Sequence, residues 1–181
     1  DFDLDGWVDL FFASGAPFTL DQEKSPGKDG FFRNMGSGKF TNVTDQAGVG
    51  FKGYSIGTAV GDYDNDGFPD LYVSCFGTNL LYHNQGDGSF QRVERFAGVK
   101  NKDFPTGAMF FDADNDGNLD LYVCNYGLWS FADNPYCAEK GIQLYCSPKI
   151  IKASPDAYYR NLGDGTFEDA TETSGLASRA G

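Results

Sequence analysis

Aspartates recur at alternate positions in three short loops of this 181-residue chain. Each loop has aspartate at its positions 1, 3, 5 and 9 and glycine at position 6, so the side chains converge where the backbone turns sharply. Ca²⁺ takes about six to eight oxygen ligands, and convergent carboxylates with a backbone carbonyl supply such oxygens. The predicted ligands are these carboxylates and the carbonyl of position 7: Asp1, Asp3, Asp5, Trp7 and Asp9; Asp62, Asp64, Asp66, Phe68 and Asp70; Asp112, Asp114, Asp116, Asn118 and Asp120.

Other interpretations of these loops fit the residues less well. Zinc prefers Cys or His, which no loop contains, and Mg²⁺ usually keeps more water. An EF-hand needs Glu at position 12, where these loops run into apolar segments at Phe12, Val73 and Val123. Polar turns without a cation would leave carboxylates that repel one another by about 1–4 kcal/mol per pair. We therefore expect about three Ca²⁺ ions, one in each loop.

The composition excludes two classes of partner. The formal charge is −12, which disfavours binding to nucleic acid and to anionic membrane surfaces. No run approaches the ~18–20 apolar residues of a membrane span. We therefore expect neither nucleic-acid binding nor a membrane span. The first loop starts without a strand before it, and we interpret the chain as part of a longer polypeptide.

The loops belong to a longer repeat that predicts an all-β fold. Each loop is followed by a hairpin pattern, Asn-x-Gly-x-Gly, in which Asn and Gly are expected to supply the positive φ of tight turns. A small-Gly-aliphatic triplet follows at Ala47–Val49, Ala97–Val99 and 174–176. Four short strands per unit predict the blades of a β-propeller. The expected blades are residues 1–50 (without their first strand), 51–100 and 101–181, the last with an insertion at 128–155.

The repeats resemble a known family. Residues 61–73 and 110–123 resemble the FG-GAP/VCBS repeat, which forms the calcium-bearing β-propeller of integrin α-chains and of many secreted bacterial proteins. Residues 159–167 and 134–148 resemble bacterial ASPIC/UnbV-associated, cartilage acidic protein-like proteins. The resemblance implies an exported, seven-bladed propeller, extracellular, periplasmic or at the cell surface, that serves adhesion or ligand binding. Its implied partners are a protein or glycan ligand and the remaining blades of the same chain.

Four cysteines allow three complete pairings. Cys137 and Cys146 lie nine residues apart in the insertion, and we favour a disulfide between them. Cys75 and Cys124 lie in equivalent strands but one position out of step. Because alternate residues face opposite sides of a strand, they are not expected to meet, and both are expected to be buried free thiols.

No catalytic constellation is visible, so a binding or structural role is favoured over an enzyme. The single histidine, His83, is interpreted as a surface residue at a strand end. Trp7 is expected to pack in the core or within its loop, whereas Trp129, Tyr136 and Tyr145 of the insertion are candidates for stacking on a ligand. Two alternatives stay open at this point, a lectin-like propeller that binds carbohydrate and a part of a polysaccharide-active enzyme.

Overall fold

Short strands, turns and loops make up nearly all of the described part of the chain, as its glycine-punctuated sequence predicts. The computed structural model describes residues 1–15, 27–94, 103–130, 132 and 134–176. Within these ranges lie thirteen strands, a four-residue helix α1 and one short 3₁₀ turn. No helix in the described part of the chain is long and apolar enough to cross a membrane. The triplet Ala97–Val99 lies outside the described residues.

The elements follow one another in a simple order. The helix α1 and the 3₁₀ turn are Thr44–Ala47 and Pro148–Ile150. The strands are β1 Leu10–Phe12, β2 Gly30–Asn34, β3 Phe40–Asn42, β4 Ser55–Gly61, β5 Asp70–Cys75, β6 Leu80–Asn84, β7 Phe90–Arg92, β8 Pro105–Phe111, β9 Asp120–Asn125, β10 Cys137–Glu139, β11 Ile142–Leu144, β12 Ala157–Asn161 and β13 Phe167–Asp169.

All strands pair in antiparallel sheets. The first sheet has three strands in the order β1-β2-β3, and the next has four in the order β4-β5-β6-β7. The third has the order β8-β9-β12-β13, with the small hairpin β10-β11 inserted between its second and third strands. The prediction of an all-β chain with four-stranded antiparallel blades is confirmed. Among the described residues these sheets form no closed ring.

The hydrophobic core lies between neighbouring sheets. One cluster joins the first and second sheets, and a second cluster joins the second and third. Strand β5 serves both because its side chains alternate between the two faces: Leu71 and Val73 belong to the first cluster and Tyr72 to the second. All six residues of β5 are buried. The middle sheet is therefore covered on both faces, which fixes its loops relative to both neighbours.

The insertion of the third sheet is closed by a covalent bond. Cys137 and Cys146 form the predicted disulfide across β10 and β11. Cys75 and Cys124 are free thiols, as expected, but only Cys75 is buried. Cys124 is exposed because it lies on the face of the third sheet opposite the second, where the equivalent residue of the middle sheet, Ser74, is covered by its neighbour.

Candidate metal centre

The aspartate loops lie at one end of their sheets. The second and third loops connect β4 to β5 and β8 to β9, so each closes the hairpin of the first two strands in its sheet. The ladder of each hairpin ends on the aspartate of position 9, where Asp70 pairs with Gly61 and Asp120 with Phe111. The first loop precedes β1 in the same way. Each loop is therefore anchored on a β-strand, which fixes where its carboxylates lie.

The backbone of every loop turns twice through the left-handed region. Position 6 is glycine in all three, with φ of about 90°. Position 4 also has a positive φ, 57° at Leu4, 59° at Asn65 and 60° at Asn115. Asparagine tolerates this conformation better than most residues. The two turns bring the aspartates on either side of each turn to one side of the loop.

Backbone N–H groups hold the carboxylates of positions 1 and 5. In the second loop, Gly67 N donates to Asp62 Oδ2 at 2.9 Å and Phe68 N donates to Asp66 Oδ1 at 2.9 Å. The first and third loops repeat both bonds with the equivalent residues. These bonds orient the side chains and favour the ionised form. The pKa of Asp116 is accordingly lowered, chiefly by the backbone N–H of Asn118.

Three oxygen-bearing side chains converge in each loop. One oxygen from each lies within 4.8 Å of the other two in the groups Asp1, Asp3, Asp5; Asp62, Asp64, Asp70; and Asp112, Asp114, Asp116. In the first two loops the aspartate of position 3 also has a buried oxygen without a hydrogen-bond partner, Asp3 Oδ1 and Asp64 Oδ1. Such an oxygen is costly unless a cation or donor satisfies it. The residues present therefore fit a hard divalent cation.

The carboxylates of the second loop are also electrostatically strained as a group. Burial raises the pKa of Asp70 to about 6, with a further contribution from Asp64, against the lowering effect of two backbone N–H groups. Burial likewise raises the pKa of Asp64, and Asp66 and Asp62 add to it. A bound cation favours the ionised form of such groups. A cation in this loop would therefore offset the electrostatic cost of burying carboxylates close to one another.

The aspartate of position 9 ties each loop to the hairpin that follows. In the second sheet the two carboxylate oxygens of Asp70 accept from Tyr63 N at 3.1 Å and Asn84 N at 2.8 Å. The pattern recurs in the first sheet on Asp9 and in the third on Asp120. We call the converging aspartate side chains of one loop its cage. The aspartate of position 9 therefore bonds each cage to strand β6 or to the equivalent strand of its sheet.

The hairpin asparagines have a role that the sequence did not reveal. None of Asn34, Asn84 and Asn161 is among the described residues with positive φ, so their expected role as positive-φ turn residues is wrong. Their side chains act instead: Asn84 Nδ2 donates to Pro69 O of its own loop at 3.1 Å and to Phe2 O of the preceding loop at 2.8 Å. Asn161 does the same with Leu119 O and Tyr63 O, at 3.0 and 2.7 Å.

The residue at position 2 of each loop completes the contact with the next sheet. The ring of Phe2 lies 6.1 Å from that of Phe90, and the ring of Tyr63 lies 5.6 Å from that of Phe167. Both are almost fully buried. In the third loop this position is Ala113, which is exposed. Each of the first two cages is thus joined to the following sheet by a side chain and by a carbonyl.

Position 7 packs over the glycine hairpin of its own sheet. A Cβ on Gly86 would lie 2.7 Å from the ring of Phe68, and a Cβ on Gly36 would lie 2.7 Å from the ring of Trp7. Both glycines also have φ of 71°. Glycine is therefore needed for space as well as for conformation. Trp7 therefore packs at the loop end of its sheet and stays half-exposed, outside the core.

The only histidine lies near the end of a strand, as expected, but its ring faces the aspartate loop. His83 is only 25% exposed, and its Nδ1 lies 3.1 Å from Asp64 Oδ2 and 3.3 Å from Asp70 Oδ1. In the first sheet the equivalent Arg33 reaches its own loop, with Nη2 2.6 Å from Asp3 Oδ2. The interpretation of His83 as a surface residue missed this contact, which arises because the strand position faces the loop. Alternation of side chains along β6 is the signal that could have located it.

The candidate ligand-binding residues lie at the other end of the sheets. Tyr136 and Tyr145, which flank the disulfide hairpin, are 73% and fully exposed. Trp129 instead packs edge-on against Phe76, with ring centroids 5.5 Å apart, and its Nε1 donates to Asn134 Oδ1. The structure therefore leaves the two tyrosines accessible and places Trp129 in a partly buried aromatic cluster.

Sequence comparison identifies the family. The model of the FG-GAP-like repeat matches residues 1–73 and 62–123, so the two matches cover more than half of the chain and include all three loops. A repeat-built module of antiparallel blades is also what the sheets define. The chain belongs to the FG-GAP-like repeat family. A search of curated proteins returned no match. The resemblance to the ASPIC/UnbV-associated group stays a prediction.

Proposed function

We propose that this chain is a calcium-stabilised β-propeller segment that serves as an extracellular module for adhesion or ligand binding. The observation that carries the proposal is the convergence of three carboxylate side chains in every loop, with buried oxygens of Asp3 and Asp64 that lack a hydrogen-bond partner. The family membership and the disulfide are compatible with an exported protein. Bound calcium would neutralise the clustered carboxylates and supply the missing partner of these oxygens.

The residues around each cage show how a structural ion would act. Positions 1 and 5 are held by backbone N–H groups, and position 9 is bonded to the next hairpin. Position 3 offers a free oxygen in the first two loops. The carbonyl of position 2 accepts from the asparagine of the following sheet. Fixing the loop therefore also fixes the junction between two sheets. A role in stability is favoured over catalysis because the carboxylates of the cages are bonded to the backbone of their own loops and of the following hairpins.

Differential scanning calorimetry tests the calcium proposal. Calcium at about 100 times its dissociation constant should add about 2.7 kcal/mol per site to the free energy of unfolding. Treatment with a chelator should therefore lower the melting temperature by several degrees, and calcium should restore it while equimolar magnesium should not. An unchanged melting temperature after removal of all divalent ions would refute the proposal.

Exposed aromatic rings keep a carbohydrate ligand as a second candidate. Tyr136 and Tyr145 stand next to a disulfide-closed hairpin, and Ile142 and Leu144 are exposed beside them. Aromatic rings suit both sugar stacking and protein contacts. A glycan array read with Tyr136→Ala and Tyr145→Ala separates a lectin from a protein-binding module. Trp129→Ala is the less suitable probe, since Trp129 packs against Phe76 and Phe104.

A further inference from the structure

One position of the repeat differs in a way that changes the chemistry of the second cage. The residue before the hairpin asparagine is Arg33, His83 or Arg160 in the three sheets. In the first sheet Arg33 Nη2 lies 2.6 Å from Asp3 Oδ2 and 3.0 Å from Asp5 Oδ2, so a fixed cation contacts that cage. In the third, Arg160 pairs with Glu168 at 3.2 Å. Only the second cage has a neighbour with a nitrogen lone pair.

The histidine ring is aimed into the cage. His83 Nδ1 lies 3.1 Å from Asp64 Oδ2 and 3.3 Å from Asp70 Oδ1, and Nε2 lies 3.8 Å from Asp66 Oδ2. Despite these short distances, Nδ1 is a buried atom without a properly aligned hydrogen bond. Oxygen Oδ1 of Asp64 is in the same state. His83 and the carboxylate of Asp64 therefore lie next to each other, and each has one buried atom without a hydrogen-bond partner.

The distances from His83 Nδ1 to the two carboxylate oxygens match those between two ligand atoms bound to one metal ion. Zinc binds histidine nitrogen at about 2.0–2.1 Å and carboxylate oxygen at about 2.0–2.2 Å. When the ligand–metal–ligand angle lies between a right angle and the tetrahedral angle, the two ligand atoms are about 2.9–3.4 Å apart. Both nitrogen–oxygen distances of His83 fall in this interval. His83, Asp64 and Asp66 also bring one ligand atom each within 4.8 Å of the others. Imidazole suits zinc and similar transition metals, whereas calcium prefers oxygen ligands.

We propose that the second cage is a mixed nitrogen–oxygen site that accepts a divalent transition metal of the zinc class, with His83 Nδ1, Asp64 and Asp70 as ligands and Asp66 within reach. This inference rests on the proposed function, because it assumes that the cages are cation sites. The first and third cages have arginine at this position, which offers no nitrogen lone pair to a metal. The middle cage therefore gives the chain a second metal specificity inside a repeated calcium scaffold.

The single histidine makes the ligation directly measurable. In ¹⁵N-labelled, metal-free protein with Cys124→Ser to remove the exposed thiol, zinc is added while the ring nitrogens of His83 are followed by long-range ¹H–¹⁵N correlation. Nδ1 should shift to the position of a coordinated nitrogen as one equivalent binds, and Nε2 should keep its proton. A ring spectrum that zinc leaves unchanged overturns the inference.

Two variants locate the site, and a third is the matched control in another loop. His83→Arg, which gives the second sheet the residue of its neighbours, should weaken zinc binding in calorimetric titration by at least about tenfold, the low end of the loss on removing even an outer partner. Asp64→Asn should do the same. Asp114→Asn, the same position in the third loop, should leave zinc binding intact. Equal zinc affinity in all of these proteins would overturn the proposal.

Calcium titration keeps this inference separate from the proposed function. Binding of about three calcium ions by His83→Arg, without the zinc response, supports both statements. Binding of calcium but no effect of His83→Arg on zinc removes only the transition-metal site. Failure of the unaltered chain to bind calcium at any loop removes the proposed function, whatever zinc does.

Discussion

The second and third cages have the same four aspartates, the same glycine and the same asparagine at position 4, yet they lie in different surroundings. Tyr63 of the second is buried against the following sheet, whereas Ala113 of the third is exposed. In the third, Tyr158 O–H donates to Asp120 Oδ2 at 2.8 Å, where the second has Leu81. The motif defines the cage, and residues outside it decide what the cage is connected to.

The largest effect is expected from making the second loop resemble the third at position 2. Tyr63→Ala removes a ring that is 5% exposed and packs on Phe167, so the free energy of unfolding should fall by about 3–5 kcal/mol. Ala113→Tyr is the matched control at an exposed site and should change it by less than about 0.5 kcal/mol. Urea unfolding measures both, and equal effects would contradict the contrast between the cages.

A smaller loss is expected from separating the two cages. Asn161 is 1% exposed and its amide joins them, since it donates to Tyr63 O and to Leu119 O. Asn161→Ala leaves buried carbonyls without these donors and should cost about 2–4 kcal/mol. Asn34→Ala removes a bond to Val8 O only within its own loop, so it should cost less. Similar losses in thermal or urea unfolding would show that the bond between sheets contributes little.

The smallest effect is expected from removing the extra donor of the third cage. Tyr158→Phe deletes the hydroxyl that bonds Asp120 and should lower the free energy of unfolding by about 1 kcal/mol. Leu81→Met, a substitution of similar volume at the equivalent position, serves as the control for packing. A loss above about 3 kcal/mol would mean that the hydroxyl supports more than one hydrogen bond.

Much of the fold was predictable because its signals are local. Alternating aspartates, the glycine of position 6 and short apolar runs determined the loops and the strands beside them. The roles of Asn84 and Asn161 were not predictable from local sequence, because each amide bonds a carbonyl of another sheet, 82 and 98 residues away. Long-range partners depend on how sheets stack, which turn propensities do not describe.

The exposure of individual side chains also depends on long-range packing. Cys75 and Cys124 occupy similar strands, but β5 is covered on both faces and β9 on one, so only the first thiol is buried. The contact of His83 with its loop was missed for a related reason. Its sequence position at a strand end suggested solvent, whereas the loop of its own sheet folds back over the strand. In both cases the neighbour, and not the residue type, determined the environment.

The asparagine contacts also give the array a direction. Asn84 and Asn161 each donate a hydrogen bond from one sheet to the loop of the sheet before it, so each cage is contacted by the sheet that follows it in the chain. In repeat proteins, stability is approximately a sum of unit terms and nearest-neighbour terms. Under the proposed function, an ion in one loop would contribute to the nearest-neighbour term as well as to its own unit. If the loops bind calcium as proposed, calcium binding and blade stacking would be coupled equilibria, and occupancy should spread cooperatively along the chain.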